Sequence, residues 1–251
     1  MKTDRIVMRP RSTAEAIDLG FALVRANYKT MLGLSLTWML VLLPAVAAIT
    51  LWLPLGGLLL LWWFKPLLDR MLLQALALDL LGQKSGPLLT LRSRWLGNGM
   101  VAGLSFWRFH PARSFLLPVW QLEGQRGKQR RRRQRSLSHG NGGSGFGLTL
   151  AFLGLELAIL SGWLVLGNLL LPLDFSWLQW GSSLDWSSSQ GRWLVAWFLG
   201  SYALTVLLTE PFYLGAGLGL YLNQRCRLEC WDLEPDLAAL GQRHAGRRSL
   251  S

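Results

Sequence analysis

The chain has 251 residues, of which 51% are hydrophobic and 16% charged, with fourteen Trp and a formal net charge of +12. Its apolar residues fall in blocks: residues 31–64 carry no charged side chain, 148–173 only Glu156, and 193–222 only Glu210. One crossing of the hydrocarbon layer takes about 20 apolar residues, so the blocks exclude an ordinary soluble domain and point to an all-α integral membrane protein.

The opening MKTDRIVMRPR is charged and lacks the apolar core and small-residue cleavage site of a secretory signal, so the first apolar block is expected to act as an uncleaved insertion signal. Within residues 1–30, Ser12 and Glu15 form a Ser-x-x-Glu capping box at the start of an amphipathic helix. Ile17, Phe21, Val24 and Tyr28 share one face of it, while Glu15, Asp18, Arg25 and Lys29 share another. Two placements are open, in the headgroup layer beside the first span or against other cytoplasmic parts of the chain.

Residues 31–81 read as a transmembrane hairpin with spans at about 31–53 and 58–81. The sequence Leu53-Pro54-Leu55-Gly56-Gly57 marks the turn, because Pro removes a helix donor and Gly permits a tight reversal. Lys65, Pro66, Asp69 and Arg70 interrupt the second span, and Asp79 lies near its cytoplasmic end.

Residues 82–147 form a basic loop holding twelve Lys and Arg against the single acid Glu123. Its apolar stretches 100–107 and 114–122 are too short to span, so they are expected at the interface or packed beneath the spans. The run RGKQRRRRQR follows, then the Gly-rich HGNGGSG, read as a mobile linker. Residues 148–222 form a second hairpin, with spans at about 148–172 and 193–222. The connector DFSWLQWGSSLDWSSSQGR places Trp177, Trp180 and Trp186 where indole rings favour the membrane interface. Residues 223–251 form a tail.

The N-terminal 30 residues hold six Lys and Arg, the 82–147 loop twelve and the tail five, whereas the two short connectors hold only Arg192. Cytoplasmic segments are enriched in these residues, so four spans with both termini in the cytoplasm fit every segment. The predicted fold is a four-helix transmembrane bundle with an N-terminal amphipathic helix and a basic cytoplasmic loop.

Four stretches, RPRSTAEAIDLGFALVRANY, WWFKPLLDRMLLQALALDLLG, WRFHPARSFLLPVWQLEGQRG and TEPFYLGAGLGLYLNQRCRLECWDLE, resemble an uncharacterised family of proteobacterial multi-pass inner-membrane proteins. The resemblance rests on the Arg-Pro-Arg start, the Lys-Pro-x-x-Asp-Arg core and the Glu-Pro-Phe segment taken together. Leu67-Leu68 stands where the family carries an aromatic residue. The resemblance implies a bacterial inner-membrane location and a role in envelope assembly, and it carries over no catalytic residue.

No Gly-x-Ser-x-Gly elbow, Walker loop, His-Glu-x-x-His or Cys-x-x-Cys pair is present. Cys226 and Cys230 lie four apart, far from His110, His139 and His244, and read as reduced thiols on one helical face. No cofactor or metal is expected. Arg126, Lys128, Arg130, Arg131, Arg132, Arg133 and Arg135 are candidate ligands for anionic lipid headgroups, the phosphates nearest to a tethered cytoplasmic loop, and nucleic acid is disfavoured.

Gly215 and Gly219 form a Gly-x-x-x-Gly pair for close helix packing, within the chain or between two copies. Lys65, Asp69, Arg70, Glu156 and Glu210 are ionisable groups inside spans, which mark structural pairing or a proton or solute path. Counting depths from the span ends pairs Lys65 with Asp69 and Arg70 with Glu156, and leaves Glu210 too deep to join. The preferred function is a non-enzymatic inner-membrane scaffold or accessory subunit of a cell-envelope assembly, acting with a membrane-protein partner or as a homo-oligomer. The alternative is a small transporter or channel subunit that uses the intramembrane charges.

Overall fold

The computed structural model describes residues 9–82, 109–139, 142–170 and 189–229, and every regular element among them is a helix. In chain order these are α1 (Thr13–Ala26), α2 (Tyr28–Trp52), α3 (Gly56–Leu80), α4 (Arg113–Gln121), α5 (Gly127–Ser138), α6 (Gly142–Leu170) and α7 (Ser189–Glu229). Residues 100–107, Trp177, Trp180, Trp186, Cys230, His244 and the tail beyond Glu229 lie outside the described residues.

Helix α1 starts where its sequence directs. The Ser12 hydroxyl accepts from the Glu15 amide at 3.2 Å, and the Glu15 carboxylate accepts from the Ser12 amide at 3.1 Å. The segment before it is tied to α7, because Asn223 Oδ1 accepts from the Arg11 amide at 2.7 Å and its Nδ2 donates to the Arg11 carbonyl at 3.0 Å. Helix α1 packs against α7 within the stretch that the sequence assigns to the fourth span: Phe21 meets Phe212 edge to face with centroids 5.7 Å apart.

Helices α2 and α3 form the first hairpin. A Cβ at Gly56 would sit 2.4 Å from Ile49 Cγ2 and one at Gly57 2.3 Å from Thr50 Oγ1, so only glycine lets the two helices approach as closely as they do at the turn. At the other end Asn27 Nδ2 donates to Asp79 at 2.8 Å. The α3 surface changes along its length. Trp62 and Trp63 are exposed, whereas Lys65, Asp69, Arg70 and the apolar residues Leu68 and Met71–Leu73 are buried between α2, α4 and α7.

Helices α2, α6 and α7 are each long and apolar enough to cross a membrane. Helix α3 does not meet that description, because Lys65, Asp69 and Arg70 lie together in its middle. The four-span bundle is therefore matched only in its coarser form, an all-α chain with three helices capable of crossing. Both α3 and α7 run unbroken through Pro66 and Pro211.

One expectation for the basic loop is corrected: Gly142–Gly145 of the Gly-rich segment, read as mobile, open α6. Gly145 lies where a Cβ would come within 3.0 Å of Ala112 and 3.2 Å of Phe115, so glycine there serves close approach to α4. The polybasic run is helix α5, built from good helix formers and relieved of like-charge repulsion by acids on neighbouring elements. Leu137, fully buried, fixes its inner face.

Candidate functional site

The buried face of α3 presents Lys65 and Asp69, one turn apart. Opposite them stand Glu210 on α7, Glu156 on α6 and Arg113 in the first turn of α4. Lys65 Nζ lies 2.6 Å from Glu156 Oε1 and 2.7 Å from Glu210 Oε2. Arg113 Nε lies 3.1 Å from Asp69 Oδ2, and its Nη2 lies 3.2 Å from Glu210 Oε1. The result is an alternating chain, Asp69, Arg113, Glu210, Lys65, Glu156, that links four helices. The Asp69 and Glu210 side chains are 1% and 0% exposed, so each draws its charge compensation from protein rather than water.

Each segment delivers its charge for a local reason. Lys65 and Glu210 each precede a proline, so the Lys-Pro and Glu-Pro pairs of α3 and α7 face each other. Pro66 and Pro211 each leave one helix carbonyl without its usual donor beside the array. His110 Nδ1 accepts the Ala112 amide at 3.2 Å just ahead of α4, and burial lowers the His110 pKa below the ordinary imidazole value, which favours the neutral acceptor. The Arg113 guanidinium also lies 5.6 Å from the Tyr213 ring centre, and the Tyr213 hydroxyl bonds Thr149 at 3.0 Å.

Beside the array lies a cavity of about 280 Å³ between α3, α4, α6 and α7. Lys65, Arg113 and Glu156 line it with the hydroxyls of Thr149, Tyr202 and Thr205. Glu156 Oε1 accepts from Lys65 Nζ at 2.6 Å and from the Thr209 hydroxyl at 3.4 Å.

Four of the five intramembrane charges named from the sequence thus come together, and Arg70 takes a different position. Its guanidinium lies 4.9 Å from the Trp120 ring centre, and Arg130 of α5 lies 4.6 Å from the same ring. The expected Arg70–Glu156 contact is replaced by Lys65–Glu156, and the expected Lys65–Asp69 pair by Arg113–Asp69. Glu210, counted as too deep, is the central acceptor. The register explains the error: a Cβ on Gly57 would lie 3.3 Å from Leu199, so the top of α3 is level with Leu199 rather than with Trp193. Sequence reasoning missed Arg113, which it counted among the loop cations.

A second charged cluster docks α5. Arg133 Nε lies 3.0 Å from Glu123 Oε2, and Arg133 also pairs with Glu229 of α7. Glu123 further accepts from the Tyr221 hydroxyl at 2.7 Å, and Arg225 lies 2.8 Å from Glu229. Hydrogen bonds from Arg133 to Glu123 raise the Arg133 pKa above its ordinary value, keeping it charged. Arg130, Arg133 and Leu137 therefore face inward, while Lys128, Arg131, Arg132 and Arg135 form an exposed stripe at i, i+3, i+4 and i+7, with Arg126 exposed just before it.

Gly215 and Gly219 lie against α1. A Cβ at Gly219 would meet the Ala16 carbonyl oxygen at 2.0 Å, and one at Gly215 the Val24 side chain at 2.3 Å. Gly217, on the opposite side of α7, lies against Ser114 of α4. Comparison with protein-family models, curated proteins and solved structures gives no match.

Proposed function

We propose that the chain is a non-enzymatic scaffold or accessory subunit of a cell-envelope assembly in the bacterial inner membrane. It crosses the bilayer four times with both termini in the cytoplasm. The observation that carries this reading is the alternating ion chain: three carboxylates share two cations across α3, α4, α6 and α7, each facing an opposite charge, which makes them cross-links of the bundle. On α6, Leu150, Leu153, Leu157, Val165 and Leu169 form an exposed apolar surface, as a crossing helix that faces lipid requires. The test is affinity purification of the tagged chain in mild detergent with identification of what accompanies it. Recovery of the chain alone from native membranes would count against a scaffold.

Helix α3 is the proposed fourth crossing. It has the same 25-residue length as α2, follows it after a short turn and packs antiparallel to it down to the Asn27–Asp79 bond. A helix sheathed by protein needs no apolar face toward lipid, which is why its composition falls short. A Cys placed at Ser138 should resist an impermeant thiol reagent added to intact cells, and one within 181–190 should react. Labelling at Ser138 from outside would reverse the orientation.

The exposed stripe of α5 fits anionic headgroups, each Lys or Arg contributing about 1 kcal/mol near a charged surface. With an environment-sensitive dye on a Cys at Ser136, nanodiscs rich in phosphatidylglycerol should give a membrane-contact signal that fades near 0.5 M salt. Neutralising Lys128, Arg131, Arg132 and Arg135 together should abolish it. A signal insensitive to both changes would remove the electrostatic mechanism.

The cavity beside Glu156 favours a second reading, a small transporter or channel subunit. Glu156→Gln separates the two. Lys65 keeps Glu210, so the scaffold reading expects normal folded yield and partner recovery, while the transport reading expects a lost flux in a folded protein.

A further inference from the structure

The ion chain holds one carboxylate more than it has cations, since Asp69, Glu210 and Glu156 share Lys65 and Arg113. Two of its carboxylates also meet each other. The Asp69 and Glu210 side chains are within hydrogen-bonding reach. An ionised carboxylate only accepts, so the pair has no hydrogen of its own to place between them. Asp69, 1% exposed, receives no hydrogen bond on either oxygen among the described residues; Arg113 Nε stands 3.1 Å from Oδ2 but is not aligned with it. A buried acceptor without a donor, set against a second carboxylate, is the arrangement in which two acids keep one proton between them, because like charges in contact cannot both ionise.

The elements packed around the chain add little to its balance. Helix α7 adds the phenols of Tyr202 and Tyr213, and His110 ahead of α4 is the neutral acceptor of the Ala112 amide. Arg70 packs its guanidinium on Trp120, on the side of α5, and acts on Asp69 at longer range. On α1, Asp18 and Arg25 are opposite in sign and line a different pocket with Thr209 and Phe212. Lys29 of α2 lies at the end of the hairpin closed by the Asn27–Asp79 bond. One carboxylate of the chain reaches the cavity: Glu156, 19% exposed, on a wall that also carries the hydroxyls of Thr149, Tyr202 and Thr205.

We propose that the ion chain binds one exchangeable proton, held in common by its three carboxylates, bridging Asp69 and Glu210 and exchanging with water through Glu156 and the cavity. Uptake forms an O–H bond on a carboxylate oxygen and takes the proton from a hydronium ion, leaving water; release at high pH reverses the step. With the proton in place, the charges of the three acids and two cations cancel. Occupancy belongs to the set rather than to one residue. Neutralising any one of the acids leaves two acids to two cations and removes the need for a proton. The site stands whether the chain acts as a scaffold or as a transporter, since binding requires no flux.

The test is infrared difference spectroscopy of the full chain in nanodiscs. A protonated carboxyl group gives a C=O stretch above the amide band, and that stretch moves in heavy water. The wild type should show this band at neutral pH and lose it as the pH is raised. Asp69→Asn and Glu156→Gln should each lack it at neutral pH, whereas Asp18→Asn, at an exposed acid outside the chain, should keep it. An unfolding transition in each variant checks that it is folded. If Asp69→Asn is not, Glu156→Gln decides, because it leaves Lys65 with Glu210. A wild type without the band overturns the site, as does a band that Glu156→Gln leaves in place. Stabilisation by sodium chloride but not by choline chloride, with no band, would mean that a metal cation fills the contact, and would overturn it as well.

Discussion

Arg113→Gln is expected to be the most damaging single substitution in the ion chain. The guanidinium bridges Asp69 and Glu210, and removing it leaves Glu210 with Lys65 but takes from Asp69, 1% exposed, its partner at 3.1 Å. Breaking a buried pair by deleting one member costs about 3–5 kcal/mol, because the remaining charge stays desolvated. Most of the chain should then be lost to aggregation or proteolysis before extraction, and what survives should unfold at markedly lower temperature in detergent. Asp69→Asn in the same molecule removes the stranded charge and should recover part of the loss. The measurement is a double-mutant cycle on unfolding midpoint and folded yield. Strictly additive losses would mean that Arg113 and Asp69 do not act as a pair.

Lys65 differs from Arg113 in a way that sets the order of effects. It holds two carboxylates, one of them Glu156 at the cavity wall with a 19% exposed side chain. Replacing Glu156 leaves Lys65 compensated by Glu210, whereas replacing Lys65 takes from Glu156 its cation and leaves Glu210 to Arg113 alone. Lys65→Gln should therefore fall close to Arg113→Gln in severity and Glu156→Gln well below both.

The three apolar helices, the capping box and four of the charges that meet were legible in the sequence because each rests on local chemistry: blocks of apolar residues, a Ser-x-x-Glu spacing, and ionisable groups within apolar blocks. What could not be read was register. Depths counted from span ends place Glu210 below Lys65, because the count sets the tops of α3 and α7 at one plane, and no residue in either helix announces that Gly57 lies level with Leu199. Arg113 was hidden for a different reason. It opens a nine-residue helix too short to cross a membrane and sits in a loop rich in Arg, so its charge looked like one topology signal among twelve. A sequence clue exists in hindsight: Arg113 is followed directly by the apolar SFLLPVW, unlike the Arg run of α5. The glycines divide. Glycine in HGNGGSG suggests mobility, yet Gly145 lies where α4 passes close by, whereas Gly215-x-x-x-Gly219 signals close helix packing and takes it within the chain, against α1.

That contact gives the last prediction. The backbones of α1 and α7 touch: a Cβ on Gly219 would lie 2.0 Å from the Ala16 carbonyl oxygen, and one on Gly20 would lie 2.1 Å from that of Gly215. No rotamer relieves such an overlap, since the obstacle is main chain on both sides, so any side chain at Gly219 must push α1 away from α7 as a unit. Overpacking of this kind costs about 1–3 kcal/mol and sometimes more. Gly219→Leu should lower the unfolding temperature and raise hydrogen exchange throughout Thr13–Ala26, while the oligomeric mass stays that of the wild type, because the stripe is filled by α1 and α4 of the same chain. Gly154→Ala is the matched control: nothing lies within 4 Å of its added Cβ, and trading Gly for Ala inside a helix gains roughly 0.5–1 kcal/mol. Wild-type exchange in α1 of Gly219→Leu, or a fall in oligomeric mass without any loosening of α1, would show that the glycines serve an interface between copies instead.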